Sequence, residues 1–541
     1  DFSHCLRKVH IMKKLLAVVL SLITALSVVS LAGCGGKDNK KVELIWATPW
    51  YESEESDLVQ KVFNEELQKL LPNTTVKFKL MSSDNWSLMM SGQEPIDIAW
   101  AGYLIDVLSE VKKGSYTPLD DLIKENAPNI AQEMKDYADD YEKGNYDGKQ
   151  YLIPNQQARV KHSGSLVVPA SLYKYLDVDA LLTALKASPY LTEDILKVLD
   201  SYFEKVYASS DYDNDVVGKY ISIENIYGIL ASRGYDWVTA SVAYKAFDEN
   251  PKFVSFYETD EYKLFCKYAS KWYEKGYISS EVLTNAGSGS RSSIMEGNYT
   301  NDWYLTTVEG KGEAKGVIYN FDEGGNIKEY RILTRDTEQM FKGIKKFASD
   351  STYLTIPYTA KNPERAIKFL DLLRSDKGRD LFTLLCYGFK KDSDLAKKYK
   401  TYHYTVNENG TAQGVDYIIQ PSSTSKYGIP SWTCGNCLKT YLNADLDPGI
   451  VDYLEDYNKN VSPKFHKTKY YNFMPDTTDI DIDITNVTAA YNEYDARIHC
   501  GTEGSNWEAT YKTMINKINA ANLQNIKNSI EKQAKEYADK K

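Results

Sequence analysis

Beyond residue 41 the apolar positions first alternate and then fall at helical spacing. Val42-Glu43-Leu44-Ile45-Trp46-Ala47 reads as a short strand, and Thr48-Pro49-Trp50-Tyr51 as the loop after it. Leu58, Val59, Val62, Phe63, Leu67, Leu70 and Leu71 recur three and four residues apart, which predicts a helix that stops near Pro72. Thr75–Leu80 alternates as a second strand. Ile96–Trp100 is a third, running into Ala101-Gly102-Tyr103. Strand, helix, strand and strand in this order predict the start of a parallel α/β sheet. Ligands of such sheets sit outside the carboxyl ends of the strands, and here those ends carry Thr48, Trp50, Trp100 and Tyr103.

Further on, Tyr146–Pro154 reads as a turn entering a strand, and Val160 to about Leu305 as a second α/β unit. Its helices include Leu191–Tyr207 and Tyr262–Lys275, the second ending at Gly276 as a capping glycine. Ser292–Trp303 reads as a helix end, a glycine, a strand and an aromatic. Tyr353–Pro357 is a strand. Asn362-Pro363 opens a helix with Asn as cap, and Ala366, Ile367, Leu370 and Leu373 give that helix its buried face. Asp479–Asp483 alternates and reads as an exposed strand or loop. Ser505–Glu508 reads as a capping box that starts the last helices.

The amino-terminal end has a different pattern. Met12, Lys13 and Lys14 precede a run without charge from Leu15 to Ala32, which is a secretory signal. Asp1–Ile11 lie upstream of that start and are set aside. The run closes on Leu31-Ala32-Gly33-Cys34, which looks like a bacterial lipobox, and a polar tether, Gly35–Lys41, follows. The expectation is a signal peptide over 12–33, a tether over 34–41, lipid on Cys34, and a chain held outside the cytoplasm on the cell membrane.

Some 500 residues remain, enough for two or three domains. A net charge of −10 argues against nucleic acid and against broad contact with an anionic membrane surface. The 43 tyrosines and 9 tryptophans suit a protein that grips polar ligands with flat apolar faces, although an AT-rich genome would also enrich tyrosine. Cys266 and Cys386 read as core thiols. Cys434-Gly435-Asn436-Cys437 reads as a structural bridge or as two reduced core thiols, since zinc would need two further ligands. Asp211–Asp215 imitates the start of a calcium loop, but its glycine falls late and no Glu closes it. The six histidines show no ligand spacing, so no metal and no cofactor is expected.

Taken in order, the lipobox, Val42–Trp50, Asp97–Gly102, Tyr146–Pro154, Met295–Trp303 and Tyr353–Leu373 resemble the family 1 extracellular solute-binding proteins of carbohydrate ABC importers. Asn362–Ala366, Tyr387-Gly388-Phe389, Tyr402-His403-Tyr404 and Trp432–Asn436 look like its LplA-like lipoprotein subgroup, which has its own C-terminal region. The chain departs from that subgroup at Phe389-Lys390-Lys391, before an inserted segment. The resemblance implies a two-lobed, type II periplasmic-binding-protein-like α/β fold with the lobes joined by hinge strands. Crossings are expected near Tyr151–Asn155 and Tyr330–Asp350. The first lobe is then 42–152 plus 350–385, and the second 153–349 plus 386–541.

A sugar site needs aromatic platforms and planar polar groups. The strand-end argument supplies Trp50, Trp100 and Tyr103. The resemblance adds Trp303 from the second lobe and Trp432 as a late tryptophan closing over the sugar. Tyr227 is a further second-lobe candidate, with Asp302 and Thr48 as hydrogen-bonding groups. The expected function is a monomeric, non-catalytic binding protein that delivers a carbohydrate to an importer's permease subunits. The competing readings are a secreted glycosidase, which needs two carboxylates facing each other across a sugar, and the same fold binding a peptide or another small polar solute.

Overall fold

The computed structural model describes residues 40–540 apart from 50–52, 157–163, 212–219, 285–292, 299–315, 322–325, 346, 349–351, 409, 414–425 and 442–455. Cys34, Trp50, Asp302 and Trp303, like the apolar run from Leu15 to Ala32, lie outside the described residues. Among the described residues no helix is long and apolar enough to cross a membrane.

Nine strands build the two main sheets: β1 (Val42–Thr48), β2 (Thr74–Leu80), β3 (Ile98–Gly102), β4 (Ile153–Pro154), β5 (Ser165–Pro169), β6 (Glu296–Asn298), β7 (Val317–Phe321), β8 (Ile327–Leu333) and β9 (Thr352–Thr355). The first sheet has the order β2-β1-β3-β9-β4. Its β1 pairs in parallel with β2 and β3, whereas β9 runs antiparallel to β3. The alternating stretch at the start of the chain therefore forms the predicted parallel core, and a returning segment extends it. The second sheet, β6-β5-β8-β7, is antiparallel.

Helix α1 (Ser56–Leu70) buries Val59, Val62, Phe63 and Leu67 on one face of the first sheet, beside Leu44, Trp46, Val76 and Ile98. The other face packs Ala47, Ala99 and Ala101 against Trp86, Met89 and Met90. Small strand residues let this second helical layer approach closely. Asp97 is buried at the foot of β3. One of its carboxylate oxygens accepts the Ile45 amide, and the other accepts the amides of Lys361 and Asn362. It fixes the sheet and does not face the strand ends. Helix α2 (Pro128–Asp136) covers the same core as α1. A hairpin then turns at Asp147-Gly148, both with positive φ, as a two-residue turn between paired strands requires.

The chain leaves the first sheet after Pro154 and enters the second at Ser165. Helices α3 (Glu193–Ala208), α4 (Ile223–Ala231) and α5 (Asp260–Glu274) build the second core around Leu166 and Val168 of β5. Gly276 takes φ +76 behind α5, as predicted for a capping glycine. Gly297 of β6 lies so close to α4 that a Cβ there would meet the Asn225 carbonyl at 2.5 Å. The chain returns between Leu333 and Thr352. Helices α6 (Pro363–Arg374) and α7 (Arg379–Tyr387) then complete the first core.

The carboxyl-terminal third differs from expectation. Residues after 385 were assigned to the second lobe, but Tyr387, Phe389, Tyr404, Tyr427, Ile429 and Cys434 pack into the first core. Only from Tyr470 does the chain join the second core, through α8 (Asp481–Asn492), α9 (Asp495–His499), α10 (Trp507–Ala520) and α11 (Leu523–Ala538). It therefore passes between the cores a third time, between 441 and 470. Asp479–Asp483 is not an exposed strand but the entry to α8. The expected capping box is absent as well: α10 starts at Trp507, and its cap residue Asn506 makes no side-chain cap bond. No disulfide forms among the described residues, and Cys434 Sγ lies 3.5 Å from Cys386 Sγ, both thiols being buried.

Where the chain returns, Lys342 pairs with Asp139, and Lys345 Nζ lies 3.2 Å from Glu142 Oε1. The Lys345 amide donates to the Phe473 carbonyl at 2.8 Å, so the second and third passages are tied together and to the first lobe.

Candidate functional site

The register brings the ends of β1, β2 and β3 to one edge of the first sheet. Thr48 is buried there, and its carbonyl accepts the Met81 amide at 2.9 Å. Tyr103 follows β3 and stands 57% exposed, with Leu104 after it and Leu80 at the end of β2 also open at 38% and 55%. Trp100 has no exposed surface. Its ring lies inside the sheet's covering layer and supports Tyr103 edge to face, with centroids 5.5 Å apart. Of the two strand-end aromatics described, Tyr103 presents a face to solvent. Trp100 is a core ring beneath it, because both faces of β3 are covered by helices.

β9 runs antiparallel to β3, so its first residue, Thr352, pairs with Gly102 at the same edge. Its hydroxyl donates to the Trp432 carbonyl at 2.7 Å and accepts Asn155 Nδ2 at 3.2 Å. Trp432 is therefore held on the first lobe beside the strand ends, largely buried in a short helical turn. Asn155 and Gln156 are the last described residues before the first crossing. Both are buried, yet Asn155 Oδ1 and Gln156 Nε2 have no hydrogen-bond partner among the described residues. A buried amide atom without a partner costs free energy unless a ligand or water completes it. An amide pair beside an exposed aromatic is the planar polar equipment that a sugar hydroxyl needs. Neither residue was predicted. The available signal was their place: two consecutive amides directly after Pro154, at the exit from the first lobe.

Tyr227 does not reach this edge. It sits on α4 inside the second core, packed on Phe265 and stacked on His499 at 4.1 Å with the rings 5° from parallel. The structure thus brings together Thr48, Tyr103 and Trp432, buries Trp100 beneath them, and places Tyr227 elsewhere.

A buried ionic network underlies the edge. Arg374 Nε lies 3.2 Å from Glu133 Oε2, and both side chains are buried. Glu133 Oε1 accepts Asn436 Nδ2 at 2.8 Å, Arg374 Nη2 donates to the Pro154 carbonyl at 3.4 Å, and the Cys437 amide donates to Gln156 O at 3.1 Å. The pair therefore fixes both segments that carry the amides and Trp432.

At the rim, Glu55 opens α1 and gathers the inserted segment. It accepts Thr401 Oγ1 at 3.0 Å and His403 Nε2 at 3.0 Å, with Lys426 Nζ at 3.4 Å. The Phe389 amide donates to His403 Nδ1 at 2.7 Å, so the proton of the neutral ring resides on Nε2, facing Glu55. Burial pushes the Glu55 carboxyl up, but the hydrogen bonds from Thr401 and His403 outweigh it and leave the group below its ordinary range. Burial lowers the His403 pKa despite the pull of Glu55. The unfolded chain therefore binds a proton near pH 6.5 that the folded chain refuses. This contribution to stability is complete above about pH 6.5 and is lost as pH falls from there towards the folded-state pKa. We expect the melting temperature to drop between pH 7 and 5, and the drop to be smaller in His403→Gln. Thermal unfolding of both proteins across that range checks it.

Residues 469–539 match a family described as a domain of unknown function, DUF3502. A "Carbohydrate ABC transporter substrate-binding protein" of Streptococcus pneumoniae is 23% identical over 428 residues, which are 77% of this chain and 74% of the relative. The crystal structure of the N-glycan transport solute-binding protein of Streptococcus pneumoniae superposes with a TM-score of 0.65 at 16% identity, over 92% of this chain and 99% of that one. The same protein in complex with Man5GlcNAc gives 0.55 at 18% identity, over 93% and 99%. The chain is therefore similar, in sequence over most of its length and in its two-lobed fold, to solute-binding proteins of carbohydrate ABC transporters.

Proposed function

We propose that the chain is an extracytoplasmic, lipid-anchored binding protein of an ABC importer. It captures an oligosaccharide between its lobes and hands it to the permease subunits as a monomer. The observation that carries this reading is the first lobe's edge: Tyr103 exposed on the buried Trp100, with Asn155 Oδ1 and Gln156 Nε2, neither of which has a partner among the described residues, near Trp432 where the chain crosses. Stacking on Tyr103 and hydrogen bonds to the amides would hold the sugar. Thr48 lines the same edge, and Trp50, Asp302 and Trp303 would complete the site from the outer loop and the second lobe. Closure of the lobes would exclude water and strengthen these contacts. The relative's name and the glycan in the solved complex support a saccharide over a peptide. Glu55, which opens α1 after Thr48, is occupied by Thr401, His403 and Lys426, a poor arrangement for a catalytic acid. Lipid on Cys34 would keep the protein at the membrane, near the permease.

Tryptophan fluorescence of the purified chain, titrated with oligosaccharides, tests the proposal. A saturable change with no reducing sugar released is the expected result. Turnover of the sugar would establish a glycosidase, and a response to peptides alone would refute the carbohydrate reading.

A further inference from the structure

A second site lies in the second lobe, far from the strand ends of the first. Glu224 on α4, His499 at the end of α9 and Cys500 after it each offer one ligand atom, and the three atoms lie within 4.8 Å of one another. Cys500 is wholly buried and His499 nearly so, whereas Glu224 is half-buried and leaves one side open. A thiol, an imidazole and a carboxylate converging on one point form a donor set for a borderline-soft cation.

Three further observations point the same way. His499 Nδ1 is buried without a hydrogen bond among the described residues; it approaches Asp495 Oδ1 to 3.2 Å, but out of alignment for one. The ring is held flat against Tyr227, 4.1 Å away, and Asp495 is fixed in turn by Tyr262 Oη at 2.8 Å. An oriented histidine beside an anchored carboxylate is how proteins position a metal-binding imidazole. Finally, among the described residues no lysine or arginine pairs with Glu224 or Asp495, so the cluster holds two carboxylates and no cation. Behind the cluster Gly501, at φ +75, is so tightly seated that a Cβ would meet the Ala269 carbonyl at 2.2 Å. The backbone beside Cys500 therefore has a fixed place on α5.

We propose that Glu224, His499 and Cys500 bind one zinc ion, which staples α4 of the second lobe to the carboxyl-terminal helices. On binding, the Cys500 thiol releases its proton to solvent and a sulfur–zinc bond forms. His499 donates a ring nitrogen lone pair and Glu224 a carboxylate oxygen. Water supplies the fourth ligand. No redox change is involved. Because the site joins residues of two distant segments, occupancy would stabilise the second lobe independently of any sugar.

The test is equilibrium dialysis of the metal-stripped full chain against Zn²⁺, read by elemental analysis, with Co²⁺ as a spectroscopic probe. One zinc per chain is expected, with a thiolate-to-cobalt charge-transfer band that Cys500→Ser abolishes. His499→Gln should weaken zinc at least tenfold, and Cys434→Ser, in the other lobe, should leave it unchanged. Glu224→Gln keeps the volume of the side chain. Should Cys500→Ser fail to fold, weakened zinc in folded Glu224→Gln would support the site. Less than a tenth of an equivalent bound at micromolar Zn²⁺, or unchanged affinity in both Glu224→Gln and His499→Gln, would overturn the proposal.

Discussion

Replacing Arg374 with Met is expected to destabilise the first lobe by about 3–5 kcal/mol, because it leaves the buried Glu133 carboxylate without its charge partner. Glu133 would keep hydrogen bonds from Asn436 and the Tyr141 hydroxyl, but neither carries charge. In urea, the unfolding transition of the first lobe should move to lower concentration while that of the second lobe stays in place. The residues concerned all lie in or beside the first core, and the two cores share no helix. The double replacement Arg374→Met with Glu133→Leu should recover part of the loss, since it removes the stranded charge instead of exposing it. Equal stability of the double and single variants would show that the network acts through packing alone. Sugar binding should weaken in Arg374→Met as well, because the same guanidinium contacts Pro154 O, next to Asn155.

The first lobe was legible because its strands are short, alternating and separated by one clear helical pattern. The same pattern told which strand ends share one edge of the sheet, and hence that Thr48 and Tyr103 lie there. It could not say which strand-end aromatic would point outward. Trp100 sits in the middle of β3, which is covered on both faces, so its ring is buried, whereas Tyr103 lies one residue past the strand and escapes. The stack of Tyr227 on His499 was hidden for a related reason: His499 comes from the far end of the chain, and no local pattern reveals it. The same distance hid the Glu224, His499 and Cys500 cluster from any search for ligand spacing. At Asp479–Asp483 two competing periods overlap. Ile480 and Ile482 suggest alternation, but Ile480, Ile484, Val487 and Tyr491 follow the helical period, and Ile482 is 78% exposed. Helical packing against the second core prevails. The boundary near 385 is hard to read because the described residues of 386–441 form only short elements, so their membership of the first core rests on tertiary contacts of Tyr387, Phe389 and Tyr427 rather than on periodicity.

Truncating Tyr103 to Ala should lower oligosaccharide affinity about 30-fold, roughly 2 kcal/mol, the usual effect of removing an aromatic anchor at a binding surface. The side chain is 57% exposed, so folding should be nearly unaffected, and melting within a degree or two of the parent separates lost binding from lost structure. Gln156→Leu tests the other half of the site. Its Nε2 has no partner among the described residues, so the leucine removes an unsatisfied donor and should leave the unliganded protein as stable as before or slightly more so. If that donor serves a sugar hydroxyl, affinity should fall several-fold to about tenfold, the worth of one hydrogen bond. The two effects should also differ in character. Loss of the Tyr103 face should weaken every saccharide, because stacking reads only the flat C–H surface of a ring. Loss of the Gln156 amide should weaken most those sugars whose hydroxyl points at it, so the ranking of ligands should change. Calorimetric titration of both variants with a panel of oligosaccharides checks this. An unchanged ranking with Gln156→Leu would remove that residue from the site, while unchanged affinity with Tyr103→Ala would move the ligand away from the carboxyl edge of the first sheet.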